Sequence, residues 1–132
     1  MKFQPETLGG VNAVSRQEPG RIWLGNMLYE HSLIVPWVGE VQAWGVQSFA
    51  DLNAAHFQRL LALDPELVIL GSGSRLRFPP PALLRALIER GIGVETMDTP
   101  AACRTYNVLV SERRSVVAAL LLEPPGGAPE NL

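Results

Sequence analysis

A glycine-rich loop is the first stretch whose residues could do chemistry. Residues 67–80 read LVILGSGSRLRFPP, so an apolar run ends in Gly71, Ser72 and Gly73, and two arginines follow. Such loops can hold a phosphate with their backbone N–H groups. The dinucleotide fingerprint, however, needs a third glycine where this chain has Leu76, and the nucleotide P-loop needs a Lys-Ser or Lys-Thr pair that is missing here. Two interpretations of this loop stay open. The pattern favours a loop whose glycines only permit a turn, and the alternative is a loop that forms part of a ligand site.

A second polar cluster lies in TMDTPAACRTYN, residues 96–107. Cys103 stands near a predicted helix start and beside Arg104, and both a helix dipole and a cation lower a thiol pKa. A nucleophilic cysteine also needs a base, and nothing local places His31 or His56 beside it. We therefore favour a buried packing cysteine over a reactive one. No metal site is predicted, because His31 has no second ligand at metal spacing.

Arg104 and Asn107 are polar residues early in the same predicted helix. The favoured interpretation is structural: both side chains bond to loop carbonyls and tie the helix to the sheet edge. The alternative is that Arg104 points into a binding crevice.

The two clusters should face each other. Strands 67–70 and 93–97 are predicted to be parallel, and the crevice outside the carboxyl ends of parallel strands is where open α/β sheets bind ligands. Arg77 follows the first strand, and the N-terminus of the helix after residue 99 would favour an anion. A small anionic ligand or an acidic partner loop would occupy this crevice, and no catalytic residue is predicted. The candidate residues are Gly71, Ser72, Gly73, Arg75, Asp98, Thr99, Cys103, Arg104 and Asn107.

The elements of the first half are predicted to be strands. Residues 22–24 and 27–29 flank Gly25-Asn26, a pair typical of tight hairpin turns. Residues 33–35 form an apolar run that Pro36 stops, and residues 41–44 are a short strand. Residues 10–45 should therefore form one antiparallel sheet.

The second half alternates helix and strand. Helices are predicted at 54–63, capped by Asp51 or Asn53, at 80–90, and from Pro100 to about 113 with Thr99 as the cap. Strands are predicted at 67–70, 93–97 and 115–122. The last strand is apolar on both faces and is therefore predicted to be central.

The alternation predicts an α/β fold in which a βαβ crossover joins parallel strands of a mixed sheet. Helices cover this sheet, and the N-terminal antiparallel hairpin region is attached to it. Residues 1–122 should be a single globular domain. The tail at 123–132, EPPGGAPENL, has no residues that could form a core and should be disordered.

Composition narrows the functional class. The chain has 132 residues, 11 basic and 13 acidic side chains and a net charge of −2, a balance that indicates no nucleic-acid partner. The single cysteine excludes an internal disulfide and fits a reducing compartment. No signal-like or membrane-spanning run is present, so we expect a cytoplasmic protein with no direct membrane insertion. No cofactor is predicted.

Several motifs together resemble a known family. They are SLIVP at 32–36, ILGSG at 69–73, GIGVETM at 91–97, ACRTYN at 102–107 and ERRSVVAAL at 112–120. In this order the chain, from about residue 10 to 122, is similar to the small domain of unknown function shared by bacterial and archaeal proteins and by the mitochondrial respiratory complex I assembly factor 3. The resemblance implies a three-layer α/β sandwich, no established enzyme activity and a role in assembly through protein contacts.

These observations lead to three hypotheses of function. The first is a non-enzymatic binding or assembly protein that acts through protein partners. The second is an anion-binding protein or enzyme that uses the crevice at the carboxyl ends of strands 67–70 and 93–97. The third is a homodimer, in which exposed apolar side chains at the edge of the hairpin sheet pair across a two-fold axis.

Overall fold

The computed structural model describes residues 10–124, which form strands, three α-helices and short 3₁₀ turns. The strands are β1 Arg16–Glu18, β2 Arg21–Leu24, β3 Met27–Tyr29, β4 Leu33–Pro36, β5 Gln42–Ala43, β6 Leu67–Gly71, β7 Gly93–Met97 and β8 Val116–Leu120. The α-helices are α1 Ala54–Gln58, α2 Arg85–Glu89 and α3 Thr99–Ser111, and 3₁₀ turns occupy Phe49–Asp51, Arg59–Leu63 and Pro81–Leu84.

A mixed five-stranded sheet is the centre of the fold, with the strand order β5-β4-β8-β6-β7. β6 pairs in parallel with both β7 and β8, whereas β8 pairs antiparallel with β4. Every residue of β8 is buried. Alternate side chains of a strand point to opposite faces, so a strand buried throughout must be covered on both faces. The predicted central position of this strand is confirmed.

Two layers cover this sheet. α1, α2 and the buried Trp44 pack on one face, where they share a core with Val117 and Ala119. α3 and the three-stranded sheet β1-β2-β3 pack on the other face, against Val116 and Ala118. β7 and β8 flank β6 on opposite sides, so right-handed crossovers place α2 and α3 on opposite faces. The predicted three-layer mixed α/β sandwich is confirmed.

The N-terminal region forms the predicted hairpin but not the predicted single sheet. β2 and β3 pair antiparallel around Gly25, whose φ is 63°. β1, which was not predicted, completes this small sheet. β4 and β5 instead join the main sheet, so the prediction of one antiparallel sheet over residues 10–45 is wrong. The physical reason is that all of β4 is buried, and only the middle layer covers a strand on both faces.

The helices are shorter than predicted. Residues 54–63 are α-helical only to Gln58 and then continue as 3₁₀, and residues 80–90 begin as 3₁₀ before α2. An apolar stripe with i, i+3 spacing suits both helix types, so the pattern could not distinguish them. Asn53 caps α1 through a bond from the His56 N–H. α3 is capped by Asp98, so the prediction of Thr99 as the cap is wrong, and it ends at Ser111, two residues before the predicted end at about 113.

The chain ends fall partly outside the described residues. The described residues do not include 1–9, which belong to the predicted domain, or 125–132, which belong to the predicted disordered tail. The boundaries 1–122 and 123–132 therefore stay a prediction. Glu123, at the start of that tail, is described and forms an ion pair with Arg77. In residues 10–124, no helix combines the length and apolar character needed to cross a membrane.

Candidate functional site

The two predicted turns meet at the carboxyl ends of β6 and β7. The Ser72 N–H donates to the Met97 carbonyl over 2.8 Å. The Thr99 N–H donates to the Gly73 carbonyl over 2.8 Å, and the Gly73 N–H donates in return to Thr99 Oγ1 over 2.9 Å. The structure therefore brings together Gly71, Ser72, Gly73, Asp98 and Thr99 from the candidate set.

A third chain segment joins them, because β8 is also parallel to β6. The Thr99 hydroxyl donates to the Leu121 carbonyl over 2.8 Å, and the Leu121 N–H donates to the Gly71 carbonyl over 3.0 Å. We call residues 71–73, 98–99 and 121–123 the carboxyl-end rim. The sequence reasoning missed its third segment, although the prediction of a central, doubly covered last strand was the signal that could have found it.

Close packing explains the two glycines. A Cβ added at Gly71 would lie 2.9 Å from Thr99 Oγ1 and 3.1 Å from Thr99 Cα. A Cβ at Gly73 would lie 2.6 Å from Arg77 Nη2 and 2.8 Å from Glu123 Oε1, and the φ of Gly73 is 103°, where L-residues are strained. The glycines let the start of α3 approach the end of β6, as the interpretation of a permissive turn requires.

The rim is closed rather than cleft-like. Ser72, Gly73 and Thr99 are buried, and their polar atoms bond to one another or to neighbouring backbone. The Asp98 carboxylate accepts a bond from the Ala101 N–H over 2.9 Å and thus places a negative charge at the N-terminus of α3. An anion at this position would have to displace protein hydrogen bonds and approach a carboxylate. The predicted anion site stays a prediction that this geometry does not favour.

The outer side of the rim holds a partly buried ion pair. Arg77 Nη2 donates to both carboxylate oxygens of Glu123 over 2.9 Å and to the Ser72 carbonyl over 2.8 Å. The Arg77 and Glu123 side chains are only 18% and 25% exposed. The Arg77 guanidinium also lies 5.0 Å from the centroid of the Phe49 ring. This pair joins the exit of β6 to the exit of β8.

We call residues 74–80, which leave the rim, the 74–80 loop. The Ser72 hydroxyl donates to the Arg75 carbonyl over 2.7 Å and accepts from the Arg77 N–H over 3.1 Å. On either side of the anchored Arg77, Leu76 and Phe78 are 52% and 68% exposed. The loop thus presents two apolar side chains from a fixed base.

The remaining candidates lie on the body of α3. Cys103 is buried in the core, and this burial raises the pKa of its thiol to about 12, although Arg104 acts in the opposite direction. The prediction of a packing cysteine is confirmed. The thiol is held protonated at neutral pH, and no thiolate nucleophile is available there.

Asn107 and Arg104 differ in the hydrogen bonds that their side chains form. The Asn107 side-chain amide donates to the Val14 carbonyl over 2.8 Å and accepts from the Val14 N–H over 2.9 Å. The predicted bond from Asn107 to loop backbone is therefore confirmed. Arg104 is exposed, and its predicted bonds to loop carbonyls do not form within residues 10–124. Arg104 and Asn107 are both outside the rim.

One family model and several known proteins match this chain. The family model described as "Protein of unknown function (DUF498/DUF598)" matches residues 14–121. NADH dehydrogenase (ubiquinone) 1 alpha subcomplex assembly factor 3 from Bos taurus is 40% identical over 105 residues, which are 78% of this chain and 55% of that protein. The chain thus spans about half the length of such assembly-factor relatives.

Two bacterial proteins match over most of their length. The 13 kDa major membrane protein of Francisella tularensis subsp. holarctica is 28% identical over 122 residues, 92% of this chain and 99% of that protein. The crystal structure of a protein from Bordetella parapertussis superposes with a TM-score of 0.82 at 38% identity and covers 86% of this chain and 98% of that one.

Proposed function

The chain belongs to the family described as protein of unknown function (DUF498/DUF598), and from this premise we propose that it is a non-enzymatic assembly protein that acts through protein–protein contacts. The observation that carries the proposal is the 40% identity to the bovine NADH dehydrogenase assembly factor over 78% of this chain. The narrower form is that the chain assists maturation of NADH dehydrogenase, respiratory complex I, in its own cell.

The rim geometry does not favour catalysis. The hydroxyls that could act as nucleophiles, those of Ser72 and Thr99, donate to backbone carbonyls in a buried position. A nucleophile needs a neighbouring base and access to substrate. The Cys103 thiol is likewise buried, with its pKa raised to about 12. Each of these groups stabilises the fold.

Deletion of the gene in the source cell tests the narrower form. We expect less assembled NADH dehydrogenase on native gels and a lower NADH:quinone activity of the membranes, with succinate oxidation unchanged as the control. Re-expression of the full chain should restore both. Unchanged assembly in the deletion strain, together with no NADH dehydrogenase subunit or assembly factor recovered on tagged wild-type protein, would overturn the proposal.

A homodimer is a second form of protein contact that the surface supports. β3 is an edge of the small sheet, and Met27 and Leu28 on it are 60% and 41% exposed. An edge strand with unpaired backbone groups can add a strand from another copy. Light scattering at micromolar concentration should give twice the monomer mass, and a Leu28→Lys variant should give the monomer mass.

The cytoplasmic location also belongs to the proposal. The Francisella relative carries the name of a membrane protein, so location needs its own measurement. We expect the full chain in the soluble fraction of lysed source cells, washed at moderate salt. Recovery only in detergent extracts of the membranes would contradict this location.

A further inference from the structure

We propose that β3 pairs antiparallel with β3 of a second copy of this chain, because its residues are complementary to themselves in that arrangement. Leu28 lies opposite Leu28 of the second copy on a two-fold axis, and the two small sheets join into one sheet of six strands. This inference rests on the homodimer in the proposed function and specifies the strand, the register and the hydrogen bonds of that contact.

The edge strands of the two sheets differ in how they are protected from pairing. Among residues 10–124 these edges are β1 and β3 of the small sheet and β5 and β7 of the main sheet. Exposed charged side chains discourage pairing at an edge, and β1 carries Arg16 while β7 carries Glu95. β5 has only two residues. β3 has three residues and no charge, and its Met27 and Leu28 side chains are 60% and 41% exposed.

The backbone of Leu28 faces the open edge of the small sheet. The two-residue turn Gly25-Asn26 joins β2 to β3, and the pair that flanks such a turn is hydrogen-bonded, so the next pair, Trp23 with Leu28, is not. The Trp23 carbonyl agrees with this alternation, because it accepts from the Ser15 N–H on its other side over 2.8 Å. The Leu28 N–H and carbonyl therefore point away from β2, where a strand of a second copy can bond to both.

An antiparallel pair centred on Leu28 matches each position of β3 with a compatible one. Leu28 meets Leu28 of the second copy, and each Met27 meets a Tyr29 of the other chain. Cross-strand apolar pairs and contacts between a thioether and an aromatic ring are both stabilising. At the ends of the strand the uncharged Asn26 meets Glu30. No like charges face each other between positions 26 and 30.

The same construction fails at the five-residue edge β7, Gly93–Met97. A pair centred on its middle residue would place the exposed Glu95 opposite Glu95 of the second copy. Like charges directly opposite each other destabilise a strand pair. The complementarity of β3 with itself therefore favours a second copy as the occupant of that edge.

The first experiment tests residue 28 with charges of opposite sign. Leu28→Lys and Leu28→Glu are studied by sedimentation equilibrium, each alone and as an equimolar mixture. Each variant alone places like charges on the two-fold axis and should raise the dissociation constant of the dimer at least about tenfold. The mixture places opposite charges there and should recover the dimer. Val108→Lys and Val108→Glu, at an exposed position of α3, should keep the wild-type dissociation constant.

The second experiment follows the Leu28 backbone N–H in the wild-type chain. Hydrogen exchange of this amide, measured by NMR, should slow as the protein concentration and the fraction of dimer rise, because the N–H gains its partner in the dimer. Thr96 is the control. The Met97 carbonyl accepts from the Ser72 N–H on the β6 side, so the Thr96 N–H faces the open edge of β7. Its exchange should not change with concentration.

The outcomes separate this inference from the proposed function. A wild-type chain that is monomeric at every concentration would overturn the β3 pairing and the homodimer, but not the assembly function, which the gene deletion tests. Unchanged dimer affinity in both Leu28 variants, or Leu28 exchange that ignores concentration in a dimeric wild type, would overturn the β3 pairing and leave the homodimer standing. A mixture of the two variants that stays monomeric would overturn the register.

Discussion

The Thr99 hydroxyl links all three segments of the carboxyl-end rim. It donates to the Leu121 carbonyl over 2.8 Å and accepts from the Gly73 N–H over 2.9 Å, and Thr99 is 2% exposed. Thr99→Val replaces the hydroxyl with a methyl group of nearly the same shape. Both backbone groups then lose their partner in a buried position, with only a small change in the size of the side chain.

The cost follows from the two groups left unpaired. A buried backbone donor or acceptor without a partner costs about 1–3 kcal/mol, so Thr99→Val should lower the free energy of unfolding by about 2–6 kcal/mol. Valine and threonine differ little in helix propensity, so the first position of α3 adds no large term. Thr99→Ser keeps the hydroxyl and removes one buried methyl group, which costs about 1 kcal/mol.

Urea unfolding of the full chain, followed by far-UV circular dichroism, measures both variants. For an unchanged slope, we expect the midpoint of Thr99→Val to fall by about 1 M or more, and that of Thr99→Ser by much less. Equal midpoints for the two variants would refute the reasoning, because they would show that the hydroxyl bonds at the rim contribute nothing that a methyl group does not.

Three further predictions concern the neighbouring residues. Gly73→Ala should destabilise the fold by about 1–3 kcal/mol more than Gly45→Ala in urea unfolding. Both glycines have a positive φ, but of the two only Gly73 would place an added Cβ within 4 Å of other atoms. Equal losses of stability would mean that backbone strain explains the whole effect. Cys103, with its pKa raised to about 12, should react with a thiol reagent at pH 8 only after denaturant is added, and rapid reaction of the native protein would contradict its burial. Asn107→Ala removes both bonds to Val14 and should cost about 1–3 kcal/mol. Asn107→Asp turns a carboxylate oxygen toward the Val14 carbonyl in place of the amide donor, so it should cost at least as much. Wild-type stability in Asn107→Asp would argue against the paired amide contact.

The core elements were predictable because their signals are local. The hairpin at Gly25-Asn26 and the strands β6, β7 and β8 were readable from apolar runs and turn residues a few positions apart, and β6 and β7 were predicted to be parallel. The meeting of the 71–73 and 98–99 turns followed from strand direction alone. β4 was assigned to the wrong sheet, because its apolar run has the same local pattern in either sheet and only its burial on both faces distinguishes them.

The sequence predicted where the candidate site lies but not whether its polar groups surround a ligand or bond to each other. Glycines, hydroxyls and a capped helix look the same whether they surround a ligand or bond to each other, since the sequence does not state how closely two turns approach. At 2.8–2.9 Å the turn at Gly73 and the start of α3 leave no room for a ligand between them. Arg77, which follows the strand that ends at the predicted crevice, instead closes the rim with Glu123.

The sequence by itself determined the kinds of element, the direction of the parallel strands and the edge where their turns emerge, because hydrophobic period, caps and crossover handedness act over short stretches of chain. Only the tertiary structure decided which polar groups meet. Arg77 and Glu123 are 46 residues apart, and Asn107 and Val14 are 93 apart. Such pairs depend on strand register and layer spacing, which emerge only when the whole core packs. The same packing buried Ser72 and Thr99 and left Leu76 and Phe78 exposed to solvent.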